Sequence, residues 1–275
     1  KRRWFKKRLK EAAALAAGLF LFGGGAILLW LGNMEIPNLD TIGERRVSQS
    51  TKIFDRTGEI LLYDIHQDIR RTIIPFAQIS RNIKNATVAI EDAGFYQHRG
   101  IEPKAILRAI FTNLLNFGYS QGGSTITQQV VKNSILTTDK SITRKLKEWV
   151  LALKLEKKMS KEEILYLYLN EIPYGGSIYG IEESSQNYFG KKSAELSITE
   201  AAYLASLPQA PSYFSPFSLH KDKLEERKNF VLARMLAEHF ITQEEYETAK
   251  NELVNWLPPS DSGIRAPHFV MFIKD

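Results

Sequence analysis

The 275-residue chain contains no cysteine, which excludes disulfide scaffolds, thiolate zinc sites and cysteine nucleophiles. It also lacks the phosphate-binding loop GxxxxGK[ST], the dinucleotide fingerprint GxGxxG and the metalloprotease helix HExxH. No Asp-x-Asp pair is present, which argues against a sugar-nucleotide donor held through a metal ion. The five histidines do not have the spacing of metal ligands. The sequence therefore gives no sign of the commonest nucleotide-dependent and metal-dependent chemistries.

An excess of positive over negative charge is found only in the first ten residues. The chain has 37 Lys and Arg against 31 Asp and Glu, and seven of the basic residues lie in residues 1–10. The remainder carries 30 basic and 31 acidic residues, so it has no basic excess with which to bind a polyanion. We therefore expect no nucleic-acid partner. A hydrophobic content of 44% with 25% charged residues is typical of a globular protein and excludes disorder throughout.

A long uncharged stretch follows the basic tail of residues 1–11. Residues 12–32 form an apolar run that would make a helix of about 31 Å, close to the hydrocarbon thickness of a bilayer. A cleaved signal peptide would have a shorter apolar region and a small-x-small cleavage site, which does not follow Trp30 and Leu31. The sequence predicts a single-span signal anchor over residues 12–32, with the basic tail in the cytoplasm and the rest of the chain outside.

The rest of the chain is predicted to be mainly α. Residues 33–50 read as a polar connector, and residues 51–63 alternate around a turn as a short hairpin would. Periodicity, capping residues and proline positions predict helices over residues 86–96, 103–118, 141–158, 161–170, 199–207, 221–240 and 242–251.

The first candidate site segment is EDAGFYQHRG, residues 91–100. On a helix, Glu91, Phe95 and His98 would lie on one face. An aromatic ring can pack on a pyranose, an imidazole can orient a neighbour and a carboxylate can act as general base, so this stripe suits a sugar site. An amphipathic helix with a histidine near its C-terminal dipole is the alternative interpretation.

The second segment is QGGSTITQQVVKN, residues 121–133. Thr125 and Gln128 have the spacing of a capping box, which marks the start of a helix. The N–H groups at such a start attract anions such as phosphate. Further donors would be Ser124, Gln129 and Lys132. Capping alone would explain Thr125 and Gln128, but not the adjacent serine and second glutamine.

Two further segments contain candidate residues. In RKLKEWVLALKLE, residues 144–156, Arg144, Lys145 and Glu148 share a polar helix face, for which a solvated salt-bridged surface is the default interpretation. Residues 168–191 combine glycines and a proline with several aromatic residues. That composition predicts either a structured loop lining a cleft or ordinary turns around packed aromatic side chains.

Together these segments resemble the peptidoglycan glycosyltransferase domain of class A penicillin-binding proteins. The resemblance rests on five ordered motifs: ED-x-x-F-x-x-H-x-G, GGSTITQQ, RK-x-KE, a tyrosine/glycine segment ending in YFGK, and a Leu-Pro-x-x-Pro loop. It covers roughly residues 45–275 and the anchor. It implies a lysozyme-like, two-lobed, mainly α glycosyltransferase domain over residues 51–257. Residues 258–275 would then begin a linker to a C-terminal transpeptidase domain.

The resemblance also implies roles for individual residues. Glu91 would deprotonate the 4-hydroxyl of lipid II, which attacks the anomeric carbon of the growing chain with inversion and releases undecaprenyl diphosphate. Glu148 would act on the diphosphate side, and the resemblance leaves open a Mg2+ or Mn2+ ion there. Residues expected to bind substrate or diphosphate are Ser124, Thr125, Gln128, Gln129, Lys132, Arg144 and Lys145. Residues expected to shape the site are Asp92, Phe95, His98 and Tyr174.

The resemblance places the protein in the bacterial plasma membrane with its catalytic domain on the extracytoplasmic side. The partners it implies are lipid II, the growing glycan chain, the lipid bilayer and other cell-wall synthesis proteins, and the family inhibitor moenomycin should bind. Three alternatives stay open: a monofunctional rather than bifunctional enzyme, a lysozyme-like hydrolase of the same glycan, and a membrane-anchored scaffold without catalysis. A hydrolase would need two carboxylates but no cations for a diphosphate.

Overall fold

The computed structural model describes residues 51–57, 61–65, 69–104, 123–134 and 142–258, together with isolated positions before residue 30. The predicted anchor, the connector over 33–50 and nearly all of the predicted linker lie outside the described residues, apart from those isolated positions. The helix predicted over 103–118 is described only at its first two positions, which are helical. Within the described part of the chain, no helix has the length and apolar character needed to cross a membrane.

Helices dominate the described residues, so the predicted mainly α class is confirmed. The two-lobed, lysozyme-like arrangement stays a prediction. Eight α-helices lie within the described ranges: α1 (Arg81–Glu91), α2 (Ile126–Ser134), α3 (Ile142–Lys158), α4 (Lys161–Glu171), α5 (Ile181–Phe189), α6 (Ile198–Ser206), α7 (Lys221–Ala237) and α8 (Gln243–Asn251).

Capping boxes fix where three of these helices begin. Ser160 precedes α4, Ser197 precedes α6 and Thr242 precedes α8. Each hydroxyl accepts from a backbone N–H three residues later, and a glutamate there bonds back to the cap. The helices predicted over 141–158, 161–170, 199–207 and 242–251 are confirmed with ends that differ by one residue. The helix predicted over 221–240 ends early, at Ala237, and His239 then adopts a φ of +58°.

The core surrounds α6, which is buried at every position from Thr199 to Ser206. A helix that is buried on all sides needs neighbours on all sides. Helices α1, α7 and α8 pack against it, and α2 packs against α3 and α4. Fully buried side chains from helices α1 to α7 form one hydrophobic cluster, including Ile83, Val131, Leu165, Leu204 and Val231.

Two small sheets accompany the helices. Strands β1 (Thr51–Phe54) and β2 (Leu61–Ile65) pair antiparallel, which confirms the predicted hairpin. A second sheet has the order β3-β5-β4, with β3 (Arg70–Arg71) parallel and β4 (Pro173–Gly175) antiparallel to β5 (Ile178–Tyr179). The sequence did not predict this sheet, because strands of two or three residues are too short to show alternation.

The tyrosine/glycine segment is more regular than either interpretation of it. It contains the end of α4, strands β4 and β5, and helix α5, so the expectation of one loop over residues 168–191 is wrong. Helix α5 tolerates its buried serines because Ser184 donates to the Gly180 carbonyl and Ser185 donates to the Lys191 carbonyl. Gly190 ends α5 in the left-handed conformation.

Candidate active site

Helix α1 ends at Glu91, and the next nine residues form turns. The prediction of a helix over 86–96 is therefore wrong at both ends, and Glu91, Phe95 and His98 do not share a helix face. The cause is Asp92, whose buried carboxylate accepts from the Ile126 N–H at 3.0 Å and from His98 Nε2 at 2.9 Å. Because these bonds hold Asp92 to the start of α2, its backbone leaves the helical conformation (φ −161°, ψ 74°).

His98 is held in one tautomer by two contacts. The Gly100 N–H donates to Nδ1 at 3.0 Å, so the ring proton lies on Nε2 and points at Asp92. Phe95 is fully buried, with its ring edge against His98 and the Lys161 ammonium 4.5 Å from its ring centroid. These contacts fit the shaping roles expected for Asp92, Phe95 and His98.

Gly100 closes this turn against α3. Its φ is +90°, and a Cβ added there would lie 2.8 Å from the Ala152 carbonyl oxygen. The Gly100 carbonyl also accepts from the Thr125 hydroxyl at 2.7 Å, which ties the turn to α2. Glycine is required at this position because any side chain would meet backbone atoms.

We expect Gly100→Ala to lower the free energy of unfolding by at least about 2 kcal/mol, through backbone strain and overlap with α3. Denaturant unfolding would measure it. The matched control is Gly94→Ala, because a Cβ there would have its nearest neighbour at 3.6 Å, an ordinary contact. Equal stability of the two variants would contradict this account of the turn.

Helix α2 begins with the predicted capping box. The Thr125 N–H donates to Gln128 Oε1 at 3.0 Å, and the Gln128 N–H donates to the Thr125 hydroxyl oxygen at 3.2 Å. Gln128 is fully buried, and its Nε2 has no hydrogen-bond partner among the described residues. Capping thus accounts for the contacts between Thr125 and Gln128, and their contact with phosphate stays a prediction.

The second glutamine contacts the candidate base directly. Gln129 Nε2 donates to Glu91 Oε2 at 2.7 Å, while Gln129 Oε1 lies 3.5 Å from the hydroxyl of Tyr168. Since an ionised carboxylate can only accept, the amide NH2 of Gln129 faces Glu91, and the Tyr168 hydroxyl donates to the amide oxygen. The two adjacent glutamines therefore do different things: one caps the helix and the other bonds the carboxylate.

The surroundings of Glu91 favour its neutral form more than water would. Burial raises the pKa of its carboxyl group and Asp92 adds to this, whereas the Gln129 hydrogen bond and the positive charge of Arg227 lower it. Tyr168 and Tyr174 are buried nearby, and burial together with the Glu91 charge raises both of their pKa values, so both phenols stay neutral. Tyr174, predicted to shape the site, is thus close enough to the candidate base to be affected by its charge.

Arg227 on α7 acts on Glu91 through its charge, and the sequence analysis missed it. We use the name Glu91 cluster for Glu91 and the side chains that interact with it, namely Asp92, Gln129, Tyr168, Tyr174 and Arg227. Its Nε donates to the Ser206 carbonyl at 3.0 Å, and its guanidinium lies 5.2 Å from the ring centroid of Phe214. Burial lowers its pKa, and the charge of Glu91 opposes that shift. In the sequence, Arg227 stands in the charged run KDKLEERK, which reads as a solvated face, and no local signal distinguishes it.

We expect Arg227→Gln to move the acidic limb of the pH–rate profile to higher pH. A general base works only when it is deprotonated, so activity should fall as the pH drops through the pKa of Glu91. Removing the positive charge should raise that pKa further. Measuring kcat/KM against pH for Arg227→Gln, with Arg227→Lys as the charge-retaining control, would test this. An acidic limb unmoved in Arg227→Gln would contradict it.

A second group of charged residues lies just before α2. Lys145 on α3 donates from Nζ to the Ser124 hydroxyl at 2.8 Å and forms an ion pair with Glu148, one helical turn further on. The Glu148 side chain is 2% exposed and that of Lys145 is 38% exposed, so the carboxylate is buried beneath an accessible ammonium. This is not the solvated surface that is the default for such spacing. The Lys145 ammonium lies at the N-terminal end of α2, which is the positive end of the helix dipole.

Ser124 lies two residues before α2 and Gln129 is the fourth residue of the helix, so the two groups contact positions five residues apart in the chain. The structure thus joins Glu91, Asp92 and Gln129 on one side of the start of α2, and Ser124, Lys145 and Glu148 on the other.

Comparisons with known proteins show the family of this chain. A family model described as Transglycosylase matches residues 58–236, well over half of the chain. The chain belongs to the transglycosylase family. It is 44% identical over 232 residues to penicillin-binding protein 1A of Aquifex aeolicus, covering 84% of this chain and 32% of that protein. It is 37% identical over 251 residues to penicillin-binding protein 1A of Escherichia coli, covering 90% of this chain and 29% of that protein.

A crystal structure of penicillin-binding protein 1A from Haemophilus influenzae resembles this transglycosylase with a TM-score of 0.46 and 26% identity, covering 83% of this chain and 24% of that one. The chain spans about a third of the length of the first two relatives. The resemblance to the glycosyltransferase domain of penicillin-binding proteins is confirmed by the family match and these relatives.

Arg144 and Lys132 are the remaining predicted residues of the transglycosylase. Arg144 is partly buried, one residue before Lys145 on α3. Lys132 is exposed in the last turn of α2, and in the described part of the chain no hydrogen bond or ion pair connects it to Lys145 or Glu148. Their contact with diphosphate stays a prediction.

The described residues do not fit a metal site at Glu148. No three His, Asp or Glu side chains in the described ranges converge as ligands. Glu148 is also in contact with the Lys145 ammonium, which would repel a divalent cation. A hard cation such as Mg2+ prefers several oxygen ligands, and this donor set offers one carboxylate. No step proposed below uses a metal ion.

Proposed function

We propose that this transglycosylase domain polymerises lipid II into β-1,4-linked glycan strands and releases undecaprenyl diphosphate. The observation that carries the proposal is the placement of a partly buried carboxylate and an ammonium–carboxylate pair on either side of the start of α2. One group can accept a proton and the other can receive an anion, and a glycosyl transfer with a diphosphate leaving group needs both.

The carboxylate of Glu91 removes the proton from the 4-hydroxyl of the acceptor sugar. That oxygen forms a bond to the anomeric carbon of the growing chain while the bond from this carbon to the diphosphate oxygen breaks, which inverts the anomeric configuration. Burial supports the role of Glu91, because a raised pKa makes a carboxylate a stronger base than one in water. The hydrogen bond from Gln129 keeps the carboxylate in place.

The departing diphosphate gains negative charge as its bond to carbon breaks. Lys145 is accessible, and it is already positioned by Ser124 and Glu148, so it costs little reorganisation at the moment of reaction. The positive end of the α2 dipole acts in the same direction. Arg144 and Lys132 complete the proposed cationic surroundings.

The proposal includes a location. Undecaprenyl diphosphate is a lipid, so the reaction takes place at a bilayer, on the extracytoplasmic side of the bacterial plasma membrane, with residues 12–32 as the single-span anchor. Cooperation with other cell-wall synthesis proteins and a following transpeptidase domain stay predictions that rest on the resemblance alone.

A hydrolase of the same glycan is the closest competing function. Water attack on an internal glycosidic bond gives a sugar leaving group, so it would leave Lys145 without a task. The test is to incubate the purified chain in detergent with lipid II, with and without moenomycin, and to resolve the glycan products by length. We expect strands that lengthen with time and an inhibited reaction with moenomycin. Shortening of purified glycan, with no growth from lipid II, would overturn the proposal.

A further inference from the structure

A cavity of about 480 Å³ takes no part in the chemistry above. Four separate parts of the chain line it: strand β3, the turn from β4 to β5, the end of α5 and the loop after α6. We call it the Phe217 cavity, after the aromatic residue at its rim; its lining includes Arg70, Ser177, Asn187, Tyr188, Ser212 and Phe217.

Hydrogen bonds hold the walls of the Phe217 cavity in place and leave some of its polar groups available. The Arg70 N–H donates to the Ser177 carbonyl at 2.7 Å, which joins β3 to the turn. In the loop after α6, Ser215 accepts from the Phe217 N–H and Ser218 donates to the Tyr213 carbonyl. These serines shape the loop, so the cavity is a built feature of the fold.

Two other hydroxyls remain free to bind a ligand. Ser177 and Ser212 both line the cavity, and neither side chain makes a hydrogen bond within the ranges that the structure describes. Gly176 lies between β4 and Ser177 in the chain. Its φ is +54°, and a Cβ added there would meet no described atom within 4 Å. The polar lining therefore includes several hydroxyl groups beside the side chains of Arg70 and Asn187, and such groups suit a ligand rich in hydroxyls.

One side of the cavity is a flat apolar surface. Phe217 is 42% exposed, and its ring stacks on that of Tyr188 with centroids 6.2 Å apart and 26° between the planes. An exposed aromatic ring braced from behind offers a rigid face. A pyranose has one apolar C–H face and an edge of hydroxyls, so it matches a ring beside free serines.

The charge at the cavity favours a neutral ligand. The guanidinium of Arg70 pairs with the buried carboxylate of Glu183 at 3.2 Å, and Glu183 also accepts from the Thr72 hydroxyl at 2.9 Å. The cation is thus compensated within the protein, and an anion would gain little from it.

Strand β4 connects the cavity to the Glu91 cluster. The charge of Glu91 acts on Tyr174, and the next residue, Gly175, lines the cavity. The Tyr188 hydroxyl donates to the Tyr174 carbonyl at 3.0 Å, so a residue that lines the cavity is hydrogen-bonded to a member of the Glu91 cluster.

We propose that the Phe217 cavity binds one neutral pyranose unit of the glycan strand, away from the sugar that reacts at Glu91. This inference rests on the proposed function, because it takes the strand to be the polymer that the enzyme handles. Holding a remote sugar would keep the strand on the enzyme between successive additions.

The test measures binding of a lipid-free, diphosphate-free peptidoglycan tetrasaccharide to the purified 275-residue chain by calorimetry. We expect Phe217→Ala to raise the Kd roughly three- to tenfold through loss of the ring face. Phe217→Tyr, which keeps the face, should restore binding. Ser212 is exposed, so Ser212→Trp should fold and should block the cavity with at least as large a loss. Phe230→Ala is the matched control, since Phe230 is 53% exposed and does not line the cavity.

Unchanged tetrasaccharide affinity in both Phe217→Ala and Ser212→Trp would overturn the inference. An equal loss in Phe230→Ala would also overturn it, because the loss would then not belong to the cavity. The proposed function is judged separately by growth of strands from lipid II. If the wild-type chain fails to polymerise but binds the tetrasaccharide through Phe217, the sugar site stands and the proposed function fails.

Discussion

Glu91→Gln should abolish glycan polymerisation while the fold is retained. The variant keeps the shape of the side chain but cannot accept a proton, and loss of a positioned general base costs about 100- to 10,000-fold in rate. Gln129 can still donate to the amide oxygen that replaces Glu91 Oε2, so the hydrogen bond survives. The measurement is the initial rate of lipid II consumption, with Glu195→Gln, an exposed glutamate, as the control.

The stability of the same variant separates a chemical role from a structural one. Burial disfavours the charged form of Glu91, so its replacement by a neutral isostere should leave the free energy of unfolding at neutral pH unchanged or increased. A folded Glu91→Gln protein that polymerises at the wild-type rate would show that the proton acceptor is another group.

Lys145→Ala should lower kcat by about 100- to 1,000-fold, the usual effect of removing one pre-positioned donor from a developing charge. The Lys145 ammonium contacts Ser124 and Glu148 and is the accessible cation of this group, so the departing diphosphate would lose its nearest positive charge. Steady-state kinetics with lipid II would separate the effect on kcat from that on KM. Lys154→Ala, on an exposed position of the same helix, is the control.

The buried partner of Lys145 needs its own control. Truncating the lysine leaves the Glu148 carboxylate buried without its counter-charge, which is costly in itself. The double variant Lys145→Ala/Glu148→Gln removes that cost. If Lys145 acts on the diphosphate, the double variant stays slower than the single variant Glu148→Gln; equal rates of these two variants would mean that the lysine only neutralises Glu148.

The sequence predicted best those features that are encoded within one helical turn. The capping box of Thr125 and Gln128 and the shared face of Lys145 and Glu148 are both present in the structure. Such pairs are three residues apart, so their geometry follows from the helix itself.

The sequence failed where a contact spans a long stretch of chain. The end of α1 depends on the bond from the Ile126 N–H to Asp92, 34 residues apart, and periodicity carries no trace of it. Arg227 reaches the Glu91 cluster from a helix more than a hundred residues later, where its neighbours in sequence are ordinary surface charges. Tertiary packing decided both, and at α1 it overrode a local pattern that carried the helix on to residue 96.

Helix α2 positions groups for both proposed parts of the reaction, the removal of the proton and the departure of the diphosphate. Gln129 holds the proposed base in position, and Ser124, just before the helix, holds the ammonium on the proposed leaving-group side. A displacement of this helix by even a fraction of an ångström would therefore disturb bond making and bond breaking together. A compound bound at one of these two groups should therefore shift the other group as well. A mutation in α2 that alters proton removal should also alter the release of the diphosphate.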